Sequence, residues 1–149
     1  MAQHLMVVDD DRAVLDLIRA VLESDGYLVR TFDSSPNALL EAVKDPPDAM
    51  IIDLMMPEMD GLELLKALRS NPSTVDVPAI VCSAYYENLL STRDEMDSLG
   101  VARIRKPFHV EDLLDTVAAM AGRRLRPKRS AKKASAGPGR VSRFAASCV

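Results

Sequence analysis

Apolar residues recur along the first 121 positions in two alternating rhythms. The short runs Leu5–Val8, Ala49–Ile52 and Ala79–Cys82 are nearly continuous, without the polar alternation of a half-exposed strand. Strands read this way when helices cover both faces of a sheet. Tyr27–Phe32 and Val101–Ile104 bring the strand candidates to five.

Between these runs the spacing changes to the helical period. Val14, Leu15, Ile18, Val21 and Leu22 form one stripe, stopped at Gly26. Ser35 is the candidate N-cap of a second helix, with Pro36 at its first position. Asp60, with Glu63 three residues on, predicts a capping box for a third helix ending near Asn71-Pro72. A polar fourth helix spans about Glu87–Ser98 and ends before Gly100. A fifth begins near Val110 and carries Leu113, Leu114, Val117 and Ala121 on one side. Strands alternating with single helices predict an α/β fold, a doubly wound five-stranded parallel sheet of order 2-1-3-4-5.

Charge divides the chain in two. Nine of its 19 basic residues and none of its 22 acidic ones lie in 122–149, leaving 1–121 with a formal charge of -12. We therefore expect a folded acidic domain over 1–121 and a basic disordered tail over 122–149. Such a tail reads as a solvated arm, as a weak non-specific contact to nucleic-acid phosphates, or as a strap on the acidic domain. Nothing in it predicts sequence-specific reading of nucleic acid. Cys82 and Cys148 make neither a disulfide framework nor a metal set, which fits a reducing cytoplasm. No apolar run has the length of a membrane span, and the start lacks a signal-peptide pattern.

Candidate chemistry gathers where strands end. Val7-Val8 runs into Asp9-Asp10-Asp11, Ile51-Ile52 into Asp53, Val81-Cys82 into Ser83, and Ile104-Arg105 into Lys106-Pro107-Phe108. In open α/β sheets the carboxyl edge is where sites assemble, and the expected strand order makes Asp10 and Asp53 neighbours. Two unit charges about 4 Å apart repel by roughly 4 kcal/mol at an effective dielectric near 20. A proton or a cation relieves such a cluster, and Mg²⁺ suits it because it takes one or two carboxylates and keeps waters. A carboxylate can also attack phosphorus to give an acyl phosphate, with a metal and a lysine neutralising the transferring group. Taken singly, Asp53 could cap a loop, Ser83 could be an ordinary loop hydroxyl, and Asp9-Asp10 could open a helix; Asp11 is expected to do that.

The four motifs together, with Asp53-Leu54-Met55-Met56-Pro57-Glu58-Met59-Asp60-Gly61 at their centre, resemble the receiver domain of two-component response regulators. The resemblance covers residues 1 to about 121 and implies a flavodoxin-like fold. It implies that Asp53 is the phosphoacceptor and that Asp9 and Asp10 are the acidic pair. Asp10, Asp53 and the backbone carbonyl of Met55 would hold Mg²⁺, with Asp9 acting through water. Ser83 would be the switch hydroxyl and Lys106 the lysine on the phosphoryl group, and the bond before Pro107 would be cis. Met55 and Tyr85 would border the phosphoryl oxygens. A histidine kinase or phosphotransfer protein would be the donor. A protein target would bind the face formed by helix four, strand five and helix five, about 87–117. In this family an aromatic usually precedes the lysine by three residues; here that position is Arg103, which a buried pocket does not accept cheaply.

The expected function is thus a stand-alone, chemotaxis-type switch in the cytoplasm that signals through phosphorylation-dependent partner binding, not an enzyme on other substrates. The alternative is a phosphorylation-independent interaction module, with the tail touching nucleic acid. An Asp-nucleophile phosphatase would need a second Asp where Met55 stands, and no glycine-rich phosphate loop suggests nucleotide binding.

Overall fold

The computed structural model describes residues 2–84 and 93–124. Its order is β1 (His4–Val8), α1 (Arg12–Ser24), β2 (Leu28–Phe32), α2 (Ser35–Lys44), β3 (Ala49–Asp53), α3 (Gly61–Arg69), β4 (Ala79–Ser83), α4 (Arg93–Ser98), β5 (Ala102–Arg105) and α5 (Val110–Arg124). The expected fourth-helix residues 87–92, Tyr85 and tail positions 125–149 lie outside the described residues. No described helix is long and apolar enough to cross a membrane.

All five strands are parallel in the order β2-β1-β3-β4-β5, as the alternation predicts. β3 and β4 are buried along their whole length. That explains their unbroken apolar runs, because each face of the sheet meets its own core. Leu5, Val7, Ile51, Cys82 and Ile104 pack with Leu15, Ile18 and Leu22 of α1 and Leu113 and Val117 of α5. Met6, Val8, Met50, Ile52 and Val81 pack on the other face with Ala38 and Ala42 of α2 and Leu64, Leu65 and Leu68 of α3. The α1 stripe narrows to Leu15, Ile18 and Leu22 as its fully buried members.

Helix ends follow local chemistry, with one correction. The Asp60–Glu63 capping box forms, and Asp11 caps α1 by accepting the Ala13 N–H at 2.9 Å. The chain leaves α1 through Gly26 at φ 95°, a left-handed turn that a side chain disfavours. The N-cap of α2, however, is Ser34 rather than Ser35. Ser34 has extended backbone, and its hydroxyl accepts from Asn37 N. Ser35 is instead the first helical residue, fully buried, and its hydroxyl has no partner. Two adjacent serines offer the same cap chemistry, and the packing of the second against the core decides between them.

Candidate functional site

The carboxyl edge of the sheet brings four separate segments together. β1 and β3 are hydrogen-bonded neighbours with Val8 opposite Ile52, so Asp9 and Asp53 emerge side by side. Asp53 is the last residue of β3 and stands opposite Cys82, one residue before Ser83 ends β4. Lys106 follows β5, and its backbone N–H donates to the Ser83 carbonyl at 2.8 Å, tying the two strand ends together. The Lys106-Pro107 bond is cis.

The three acids of the first loop divide their work. Asp9 is buried, and its Oδ1 accepts the Asp11 N–H at 2.9 Å, which turns Oδ2 toward Lys106. Asp10 faces solvent, and Asp11 caps α1. Carboxylate oxygens of Asp9, Asp10 and Asp53 lie within 4.8 Å of one another. Lys106 Nζ donates to Asp9 Oδ2 at 2.6 Å and sits 3.8 Å from Asp53 Oδ2.

One ammonium cannot balance three carboxylates at this range. Burial is the largest influence on Asp53 and raises it from an ordinary 3.8 to about 6. Lys106 and the Met55 N–H, 3.3 Å from Asp53 Oδ1, pull the other way, while Asp9 and Asp10 add to the rise. For Lys106, burial acts to lower the pKa. The bond to Asp9 and the charges of Asp53 and Asp9 outweigh it, so its proton is held more tightly than usual. The donor set is all oxygen, carries excess negative charge and is open on the Asp10 side, which fits a hard divalent cation that keeps part of its water shell.

Around this centre the methionines part company. Met56 and Met59 pack against the core, whereas Met55 stays on the surface beside Asp53. Ser83 is fully buried at the end of β4. His4 and His109 are exposed.

Arg103 is buried on the opposite face of the sheet from Asp53. Its strand neighbours Ala102 and Ile104 enter the α1/α5 core, so Arg103 points toward α4. There its Nη1 donates to Asp97 Oδ1 in the last turn of α4. The guanidinium is accommodated because it is paired, an arrangement that the sequence reading did not anticipate. Asp97 had no signal of its own among the acids of that helix. Gly61 was quoted only as part of a motif, yet it abuts the backbone of Asp53 and Leu54.

Residues 5–118 match the response regulator receiver domain. The response regulator MprA of Mycobacterium bovis is 36% identical over 132 residues, 89% of this chain and 56% of that protein. The chain thus spans about half the length of the curated relatives it matches. The receiver domain of a sensor histidine kinase from Pseudomonas aeruginosa PAO1, solved with a magnesium ion coordinated in its active site cleft, aligns with a TM-score of 0.72 at 25% identity, over 82% of this chain and 99% of its own. Chemotaxis protein CheY4 of Vibrio cholerae aligns with a TM-score of 0.74 at 27% identity, over 80% of this chain and 99% of that one.

Proposed function

The chain belongs to the response regulator receiver family, and from that membership we propose that it is a switch set by phosphorylation of Asp53. Receiver domains act as signalling switches, and the donor here is a histidine kinase or phosphotransfer protein. The observation that carries the reading is the meeting of Asp9, Asp10, Asp53 and Lys106 at one strand edge, with three carboxylates inside 4.8 Å.

Each residue then has a role that its surroundings support. A carboxylate oxygen of Asp53 attacks phosphorus, the phosphorus bond to the donor imidazole breaks, and that bond's electron pair leaves with the donor nitrogen, which is then protonated. Asp10, Asp53 and the Met55 carbonyl would hold Mg²⁺, with Asp9 acting through water, and the ion would supply charge neutralisation to the acids and the phosphoryl oxygens. Lys106, held charged by its acidic neighbours, opposes the protonation that burial favours at Asp53 and supplies positive charge to the transferring group. Ser83 offers a hydroxyl to a phosphoryl oxygen from the end of β4. Output passes to a protein target on the α4–β5–α5 face.

Incubation with acetyl phosphate and Mg²⁺, read by phosphoprotein-gel mobility, tests this. A shifted band that is lost in Asp53→Ala and abolished by EDTA is expected. No shift under any condition, including with cognate kinases, would leave a second reading, an interaction module indifferent to phosphorylation. The Arg103–Asp97 pair favours that second reading, because a buried paired guanidinium holds α4 against β5 and resists rearrangement. In that case Asp53→Ala would bind its target as the wild type does.

A further inference from the structure

The structure assigns Gly61 a role that rests on the phosphoacceptor reading and extends it: we infer that Gly61 is a positioning residue, whose missing side chain sets where Asp53 and the Met55 carbonyl stand relative to each other. A Cβ on Gly61 would lie 2.5 Å from the Asp53 carbonyl oxygen, 2.8 Å from Leu54 Cα and 3.1 Å from the Asp53 carbonyl carbon. All three are backbone atoms, so no rotamer change relieves the conflict. Gly61 N–H also donates to the Leu54 carbonyl at 3.0 Å, closing the loop on itself.

Neither side of this contact can retreat. β3 is bonded on both flanks, to β1 and β4, and Leu54 N–H donates to the Cys82 carbonyl. α3 is held by Leu64, Leu65 and Leu68, all fully buried, and by its Asp60–Glu63 capping box. A displacement is therefore taken up by the segment between the two anchors, residues 55–60. That segment carries Met55, whose N–H bonds the Asp53 carboxylate and whose carbonyl is the proposed backbone ligand. The first casualty of a methyl group here is the geometry of the phosphoacceptor rather than the core. Catalytic groups misplaced by about 1 Å can lose on the order of a hundredfold in rate.

The test compares the wild-type chain, Gly61→Ala and Leu22→Ala, the last destabilised through a core cavity under α1 on the other face of the sheet. Mg²⁺ alone is titrated against the melting temperature, and labelling by acetyl phosphate is followed at saturating Mg²⁺ and scaled to the folded fraction. Gly61→Ala is expected to bind Mg²⁺ about tenfold more weakly and to label at least about tenfold more slowly. Leu22→Ala is expected to keep wild-type values for both below its melting temperature. Wild-type Mg²⁺ affinity and labelling in Gly61→Ala would overturn the assignment, as would equal losses in Leu22→Ala. A Gly61→Ala chain that does not fold would also overturn it, since the glycine would then serve the fold and not the site. If the wild type itself fails to label, the phosphoacceptor reading falls, and Mg²⁺ affinity alone decides for or against Gly61.

Discussion

Replacing Asp53 with Asn is expected to stabilise the protein when no divalent cation is present. Asp53 is buried, and its carboxyl is raised from 3.8 to about 6, with burial as the leading cause. Between those two values the native state holds the proton more tightly than the unfolded chain does, so stability falls as pH rises. At about pH 7.5 the ionised carboxylate therefore costs about 3 kcal/mol. Asn removes that cost and leaves Lys106 its 2.6 Å bond to Asp9. Allowing for the lost Lys106 contact and the new amide, Asp53→Asn should gain roughly 1–3 kcal/mol, or about 1 M in urea midpoint for a domain of this size. The advantage should halve near pH 5 and vanish below about pH 4, where both states hold the proton. Urea titrations of both proteins across that range, in EDTA and then in excess Mg²⁺, provide the assay. Mg²⁺ should raise the wild type and leave the Asn variant nearly unmoved. An Asn variant no more stable than wild type at pH 7.5 in EDTA, or a difference that ignores pH, would refute the charge-cluster reasoning.

Three further outcomes follow from the same geometry. Lys106→Ala leaves Asp9 buried without its ammonium and should cost about 3–5 kcal/mol at neutral pH in a urea titration; a loss below about 1 kcal/mol would contradict this. A double-mutant cycle on Arg103→Leu and Asp97→Ala should give a coupling of roughly 1–2 kcal/mol, since one partner is buried and the other half-exposed; additive effects would mean that the pair holds nothing together. Ser34→Ala should lose about 1 kcal/mol with its cap, whereas Ser35→Ala, which deletes a buried hydroxyl without a partner, should be neutral or slightly stabilising. Thermal melts that ranked those two the other way would return the cap to Ser35.

The strand-end acids were legible because position along a strand is a local property. An unbroken apolar run that ends in Asp must place that Asp at a sheet edge, and the βα alternation decides which edges adjoin. Asp10 and Asp53 came out of that reasoning as neighbours, and they are; Asp9 and Lys106, read as strand-end residues, join them. What escaped was whatever depends on distance across the fold. Choosing Ser34 over Ser35 needed the packing of α2 on the sheet. Arg103 could be seen as an oddity, but its relief came from Asp97 on another element. Gly61 stood only inside a motif, and only the approach of α3 to the backbone of β3 gave it a purpose.

Gln3 Nε2 donates to the Ala121 carbonyl at 3.2 Å, so the entry of β1 and the far end of α5 touch. Both lie at the amino edge of the sheet, a full strand length from Asp53. The domain is therefore a cassette. It can be spliced into a host chain, carry a reporter on either side, or be circularly permuted through a short bridge, while its acidic edge stays clear at the other end.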